Sequence, residues 1–181
     1  MMIELALHIL DIAENSSRAN ASLIEITLIE DIEKDRLSLE IKDNGSGMDE
    51  ETIERAMDPF YTTKKVRRVG LGLPMFKQAA LSAGGDFCIE SEVGTGTRIY
   101  ASFQHSHIDR QPIGDIPGTL TALIIGNPDI DILYRHKKNS REYILDTKEI
   151  RSALGDIPLN HMEVLHVIKE NIIEGIDEIN S

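Results

Sequence analysis

The chain has 181 residues, with 19 basic and 31 acidic side chains and a formal net charge of -12. This length suits one domain of ordinary size with an appendage, and an apolar fraction of 41% is enough to form a buried core. The acidic balance argues against DNA or RNA as the main partner, because binding a phosphate backbone depends on clustered Lys and Arg. The only cysteine, Cys88, excludes an internal disulfide, and its apolar neighbours Phe87 and Ile89 predict a buried thiol.

The N-terminal residues contain many apolar side chains but no membrane signal. Acidic and polar residues interrupt the run MMIELALHILDIAEN, and no basic leader precedes it. It predicts neither a signal peptide nor a membrane span, and no other window approaches the roughly 18 uncharged apolar residues of a spanning helix. We therefore expect a soluble, cytoplasmic protein with no membrane partner.

The first predicted element in chain order is a helix over residues 2–19. Its polar side chains recur at steps of four and three and form one stripe, made of Glu4, His8, Asp11, Asn15 and Arg18. Such a stripe faces either water or a polar ligand. An Asn amide oxygen suits Mg²⁺, and a carboxylate four residues earlier could orient or deprotonate a hydroxyl beside the metal.

Two strands are predicted next, over 22–30 and 36–43, joined by a hairpin turn. The alternation of the second strand puts Asp43 on the same face as its apolar residues. A carboxylate there is costly unless hydrogen bonds reach it, so we expect a ligand, a water or a basic partner. An exocyclic amine would serve, and Gly45 and Gly47 would let a flat ring approach the backbone. The alternative is a tight turn that Asp43 caps.

A basic, glycine-rich segment, YTTKKVRRVGLGLPM at residues 61–75, leads into a predicted helix over 72–83. Backbone amides at a helix N-terminus bind anions and neighbouring cations add charge, so this segment predicts a phosphate cradle. The alternative is an exposed basic loop.

Three more elements flank this segment. A short helix is predicted before it, over 49–57, and strands over 86–91 and 98–103 follow it. The glycine turn EVGTGT joins these two strands and could be a plain hairpin.

The last third of the chain begins after an aperiodic stretch with two prolines. We predict a linker over 105–117, then strands over 118–126, 130–138 and 141–147 that extend or complete the sheet, and an amphipathic helix over 160–179. The domain organisation is therefore an N-terminal domain over 1–104, the linker, and an extension over 118–181 packed on the first domain.

The order of these motifs resembles the GHKL superfamily of ATPases and kinases, which includes DNA gyrase, MutL and sensor histidine kinases. An Asn in a helix is followed by DNGSGM after a hairpin, DPFYTTK, VGLGLPM opening a helix, and GTGT closing a strand pair. The resemblance covers residues 2–103. It implies an α+β fold, a two-layer α/β sandwich of the Bergerat type, here with a C-terminal strand-and-helix extension.

The resemblance also implies a site for ATP or ADP with Mg²⁺. Asn15 would coordinate the metal, Asp43 would receive the adenine amino group, and Asp11 and Lys64 would be the catalytic residues. The implied nucleotide-binding residues are Asn15, Asp43, Gly45, Gly47, Met48, Phe60, Thr62, Thr63, Lys64, Gly70, Leu71, Gly72, Leu73 and Thr97. Position 11 departs from the gyrase type, which usually has Glu there, because this chain has the shorter Asp.

Three functions are compatible with these motifs. The leading hypothesis is a kinase-like protein that transfers the γ-phosphoryl of ATP to a separate protein partner, because no segment before Met2 would carry a phosphoacceptor histidine. The second is a nucleotide-gated binding module without phosphotransfer. The third is a slow ATPase of the gyrase or MutL type, coupled to formation of a homodimer.

Overall fold

The computed structural model describes residues 3–60 and 72–181 of the chain. Its helices are α1 (Leu5–Arg18), α2 (Glu50–Ala56), α3 (Gly72–Ser82), α4 (Ile116–Gly126), α5 (Thr147–Leu154) and α6 (Met162–Asn180). Its strands are β1 (Leu23–Asp31), β2 (Arg36–Asp43), β3 (Phe87–Glu92), β4 (Gly96–Gln104), β5 (Asp131–Lys138) and β6 (Arg141–Asp146).

The six strands form one sheet in the order β3-β4-β2-β1-β5-β6. All neighbouring strands are antiparallel except β1 and β5, which run parallel. Because β5 pairs with β1 in the middle of the sheet, the last third of the chain extends the same sheet as the first two thirds. This agrees with the expectation that the strands of the extension would complete the sheet.

One face of the sheet carries the core. Alternate residues of the strands point to that face and are buried, including Ile24, Ile26 and Leu28 of β1 and Leu37, Leu39 and Ile41 of β2. Helices α1, α3 and α6 pack on the sheet, while α4 contacts α1 and α6. The result is one layer of helices on one sheet, which confirms the predicted two-layer α/β sandwich.

The predicted strand over 118–126 is wrong, since this segment lies in helix α4. The side chain of Asp115 caps the helix by accepting a hydrogen bond of 2.9 Å from the backbone N–H of Gly118, and Pro117 occupies the first turn. The helix is apolar almost all round because it lies between α1 and α6, and such a helix is easily taken for a buried strand. Its buried residues nevertheless follow the helical spacing: Ile116, Thr119, Leu120, Leu123 and Ile124.

Two further differences concern the neighbourhood of the extension. Helix α5 was not predicted, although Asp146 caps it through the N–H of Lys148 at 2.9 Å. The predicted linker packs against α1: the carbonyl oxygens of Pro112 and Ile113 accept hydrogen bonds from the first backbone N–H groups of that helix, at 2.9 and 2.8 Å. These bonds take the place of a side-chain cap, which the residue before α1 does not provide.

Cys88 is exposed, so the prediction of a buried thiol is wrong. It lies in the edge strand β3, where Phe87 and Ile89 are half-buried on one face and Cys88 points to the other. Neighbours along a strand face opposite sides, so the apolar residues next to Cys88 say nothing about its own burial.

No helix in the described part of the chain combines the length and the apolar character that crossing a bilayer requires.

A buried polar cluster lies at the end of β1 that adjoins the β1–β2 turn. The carboxylate of Glu30 is only 5% exposed and accepts hydrogen bonds from Nε2 of His136 at 2.8 Å and Nε2 of His105 at 3.0 Å. Nδ1 of His136 in turn lies 3.1 Å from the hydroxyl of Tyr134. Burial alone would raise the pKa of Glu30, but the two histidine hydrogen bonds and the charges of His136 and Lys138 outweigh it and lower that pKa to about 2.

This cluster predicts an acid-sensitive contribution to stability. The pKa of Glu30 is lower in the folded chain than its ordinary value of 4.5, so its contribution is complete above pH 4.5 and is lost as the pH falls toward 2. Glu30→Gln should lower the free energy of unfolding at pH 7 by about 3 kcal/mol and flatten its decline between pH 5 and 3. Urea unfolding at several pH values measures both effects. The exposed Glu174→Gln variant is the control, and an equal pH dependence in wild type and Glu30→Gln would contradict the assignment.

Candidate functional site

The carboxylate of Asp43 lies at the end of β2 on the face that carries the core. Its Oδ2 accepts a hydrogen bond of 2.6 Å from Oγ of Ser16 in α1, and its Oδ1 accepts one of 2.9 Å from the backbone N–H of Gly45. In the sheet, Asp43 pairs with Ile24 of β1 and with Thr97 of β4. Two donors therefore hold a half-buried carboxylate between the helix layer and the sheet. They supply part of the hydrogen bonding that a carboxylate needs when it is removed from water.

The loop that follows β2 is attached to α1 and to β1. The side-chain oxygen of Asn44 accepts hydrogen bonds from the N–H groups of Ser22 and Leu23, at 2.9 and 3.0 Å. The N–H of Ser46 donates to the carbonyl of Ala19 at 2.9 Å, and a Cβ on Gly45 would lie 2.8 Å from that same oxygen. The position of Asp43 therefore depends on a loop whose backbone contacts the end of α1.

The other side of the loop contacts the turn between β3 and β4. Gly47 has φ +69°, and a Cβ there would lie 1.9 Å from the carbonyl oxygen of Glu92. Oγ of Ser91 accepts a hydrogen bond of 2.7 Å from the N–H of Met48 and lies 2.8 Å from Oγ1 of Thr97. Gly45 and Gly47 thus make room for the protein's own backbone, whereas the sequence suggested that they make room for a ring.

Two residues of the polar stripe on α1 are near Ser16 in the helix. Asn15 directly precedes it, and Asp11 lies about one turn earlier. Asn15 is exposed, and its amide oxygen accepts a hydrogen bond from the guanidinium of Arg18. A Cβ on Gly72 would lie 1.6 Å from Oδ2 of Asp11, so the carboxylate of Asp11 contacts the backbone at the start of α3. Helix α3 can approach α1 this closely only because position 72 has no side chain.

The other end of the stripe faces the protein. His8 is 1% exposed; its Nε2 is 2.9 Å from Oε1 of Gln111, and its ring centroid is 5.1 Å from that of Phe76. Burial lowers the pKa of His8, which favours the neutral ring. Its Nδ1 is buried and has no hydrogen-bond partner among the described residues. His8 is therefore part of the contact between α1 and α3, whereas Asn15 and Arg18 at the C-terminal end of the stripe are exposed.

Of the remaining predicted site residues, Leu73 and Phe60 lie within the described part of the chain and the others do not. Leu73 is buried in the core at the start of α3, and the side chain of Phe60 is 91% exposed, with its backbone N–H donating to Oδ1 of Asp58 at 2.9 Å. The predicted residues Thr62, Thr63, Lys64, Gly70 and Leu71 lie outside the described residues. Five predicted site residues do lie together, around the loop that follows β2: Asp43, Gly45, Gly47, Met48 and Thr97.

Two serines of this site, Ser16 and Ser91, were not predicted from the sequence. Ser16 binds the carboxylate of Asp43, and Ser91 connects Met48 to Thr97. Ser16 directly follows Asn15 in the sequence and lies outside the predicted polar stripe. A signal was present in each case, because a hydroxyl in an apolar helix or at the end of a strand next to a glycine turn needs a partner.

The side chains present are compatible with Mg²⁺ bound together with a phosphate ligand. Within residues 3–60 and 72–181, no cluster of three or more His, Cys, Asp or Glu is arranged to hold a metal ion. Mg²⁺ usually takes only one or two protein oxygens and completes its shell with water and phosphates. The amide oxygen of Asn15 is exposed and is a protein oxygen that could coordinate Mg²⁺. In this structure it accepts a hydrogen bond from the guanidinium of Arg18.

A family model described as "Histidine kinase-, DNA gyrase B-, and HSP90-like ATPase" matches residues 2–107. This range contains every residue for which a nucleotide-binding or catalytic role is predicted.

Curated relatives are histidine-kinase-type proteins much longer than the matched segment. Sensor kinase CckA of Brucella abortus (strain 2308) is 30% identical over 112 residues, which cover 54% of this chain and 12% of that protein. Sporulation kinase E of Bacillus subtilis (strain 168) is 39% identical over 69 residues, which cover 38% of this chain and 9% of that protein. The chain therefore corresponds to a small part of either kinase.

One solved structure, the N-terminal domain of a DNA repair protein, shares the fold with a TM-score of 0.54 and 19% sequence identity. The likeness covers 86% of this chain and 58% of that one, so it extends beyond residue 107 into the last third.

The contact between Gly47 and Glu92 predicts that this glycine is required for the loop. Gly47→Ala adds a side chain in the left-handed region and 1.9 Å from a carbonyl oxygen, whereas Gly94→Ala, at φ +84°, meets nothing within 4 Å. Gly94→Ala should cost about 1 kcal/mol from the backbone conformation, and Gly47→Ala about 2 kcal/mol more from the clash. Urea unfolding of both variants measures the difference, and equal costs would contradict the close approach.

Proposed function

Because this chain belongs to the histidine kinase-, DNA gyrase B- and HSP90-like ATPase family, we propose that it binds ATP with Mg²⁺ and transfers the γ-phosphoryl group to a separate protein partner. The observation that carries this proposal is the carboxylate of Asp43, held by Ser16 and Gly45 on the core side of the sheet and beside Thr97. The kinase relatives support transfer, although each is matched over only a small part of its length.

The adenine amino group would donate a hydrogen bond to Asp43. Oδ1 and Oδ2 each accept one hydrogen bond within the protein, and a carboxylate oxygen has a second lone pair for a further donor. Thr97 would assist from β4, and Gly45, Gly47 and Met48 would border the base. The role of the protein at this end is to recognise the base and to fix its orientation.

The phosphate end would lie between α1 and the start of α3. Asn15 would hold Mg²⁺, which when bound neutralises charge on the phosphates. The backbone at Gly72 would face the phosphates together with Leu73, Gly70 and Leu71, and Phe60, Thr62, Thr63 and Lys64 would belong to the covering segment. Asp11, on the same face of α1 as Asn15, would orient the acceptor hydroxyl of the partner, and Lys64 would offset developing negative charge.

Asp43→Asn should lower the affinity for ADP by about 2 kcal/mol, because a charge-assisted hydrogen bond to the adenine amine is replaced by a neutral amide that presents its own donors. Calorimetric titration with ADP measures the loss. The exposed Asp86→Asn variant makes the same chemical change away from the site and should bind as the wild type does. Unchanged ADP affinity in Asp43→Asn would refute adenine recognition by this residue.

Phosphoryl transfer is tested by incubating the full chain with γ-labelled ATP, Mg²⁺ and extract of the host cell. The proposal predicts label on another polypeptide and much less label when Asn15→Ala replaces the wild type. Release of free phosphate alone would identify a slow ATPase instead. Nucleotide binding with neither product would identify a nucleotide-gated binding module, and both of these outcomes would overturn transfer.

A further inference from the structure

Helices α5 and α6 enclose an apolar groove at the β6 side of the sheet, away from α1 and β4. The groove has a volume of about 410 Å³, and it is lined by Ile150, Leu154, Glu163, Val164, Val167, Ile168 and Asn171. Five of these seven side chains are aliphatic, and Val167 is 65% exposed. Val167 therefore presents an exposed apolar side chain at the edge of a groove lined mainly by aliphatic residues.

The exposed rim of the groove is acidic along α6 and carries one acidic side chain on α5. On α6, Glu163, Glu170 and Glu174 are exposed and, at 100° per residue, lie on the same flank as Val167. On α5, Thr147 and Arg151 turn toward the sheet, where they bind the N–H of Ile132 and the carboxylate of Asp131. The opposite flank of α5, beyond Ile150, carries the exposed Glu149 and Ala153.

The charges indicate what kind of molecule fits this groove. A second copy of the chain would bring its own acidic α6 to an acidic rim, and the net charge of -12 adds repulsion between copies. Anionic lipid surfaces and nucleic acids are disfavoured for the same reason. A helix with an apolar stripe and basic residues on both sides of it would bury Val167 and pair its cations with the rim.

The length of the groove suits a short helix. Its lining residues on α6 run from Glu163 to Asn171. This is a little over two helical turns, roughly 12 Å, so a helical occupant would place apolar residues at i, i+3 or i+4, and i+7 along the groove. We propose that the α5–α6 groove is a docking site for a basic amphipathic helix of a partner protein.

A synthetic peptide of about 15 residues, with Leu at i, i+3, i+4 and i+7 and Lys elsewhere, is the probe, labelled with a fluorophore and titrated with the full chain. The proposal predicts saturable binding that weakens with added salt, and no binding of the matched peptide with Glu in place of Lys. A peptide of the same composition in scrambled order tests whether the apolar stripe is needed. Equal binding of the ordered and scrambled peptides would overturn the proposal.

Val167→Glu separates docking in the groove from general attraction to an acidic protein. This substitution adds negative charge, so nonspecific attraction to a basic peptide would become stronger, whereas docking should weaken by about tenfold or more because the apolar contact is replaced by a charge. Ile108→Glu makes the same charge change at a side chain that is 95% exposed outside the groove. It should leave binding unchanged or slightly stronger.

Two results would contradict the proposal. The first is equal peptide affinity in Val167→Glu and Ile108→Glu, with both variants folded by circular dichroism. The second is a wild-type dimer in analytical ultracentrifugation that Val167→Glu converts to a monomer, since the groove would then be occupied by a second copy. Because the groove is built from neither α1 nor β2, loss of ADP binding in Asp43→Asn leaves this test unaffected.

Discussion

The position of Asp43, a charged side chain on the apolar side of β2, is the constraint on which the rest of the site depends. A carboxylate in such a place must have donors, and here they come from Oγ of Ser16 and the N–H of Gly45. The first donor requires α1 to lie across the end of the sheet, and the second requires the loop after β2 to turn back toward α1. The conformation of that loop requires glycine at position 47, so one charge links helix, strand and loop in a single arrangement.

Much of the fold could be predicted because its elements follow simple periods. The alternation in β1 and β2 and the apolar spacing of α1 and α6 each indicate both the element and its buried face, and the resemblance to the GHKL superfamily is confirmed by the family match. Helix α4 was wrongly predicted as a strand because a helix buried by α1 and α6 has no polar face to reveal its period. Cys88 was wrongly predicted as buried because its neighbours face the other side of an edge strand.

The candidate site was predicted in part. The alternation of side chains along β2 was enough to place Asp43 on the core face. The spacing of four residues on α1 was enough to place Asp11 and Asn15 on one stripe. Contacts between distant segments were not predictable in this way. The local sequence indicates that the hydroxyls of Ser16 and Ser91 need partners. Which groups these serines and His8 contact depends on which helix crosses which strand, and no local pattern contains that information.

The parallel pairing of β1 with β5 has a consequence for the biosynthesis of the chain. β1 and β2 can form their hairpin early. The backbone N–H and C=O groups on the other edge of β1 find partners only when β5, which begins at Asp131, has left the ribosome. Until then the nascent polypeptide exposes an open strand edge with apolar side chains along it. A recombinant fragment ending at residue 107, where the family match ends, would retain that open edge and would be prone to self-association through it.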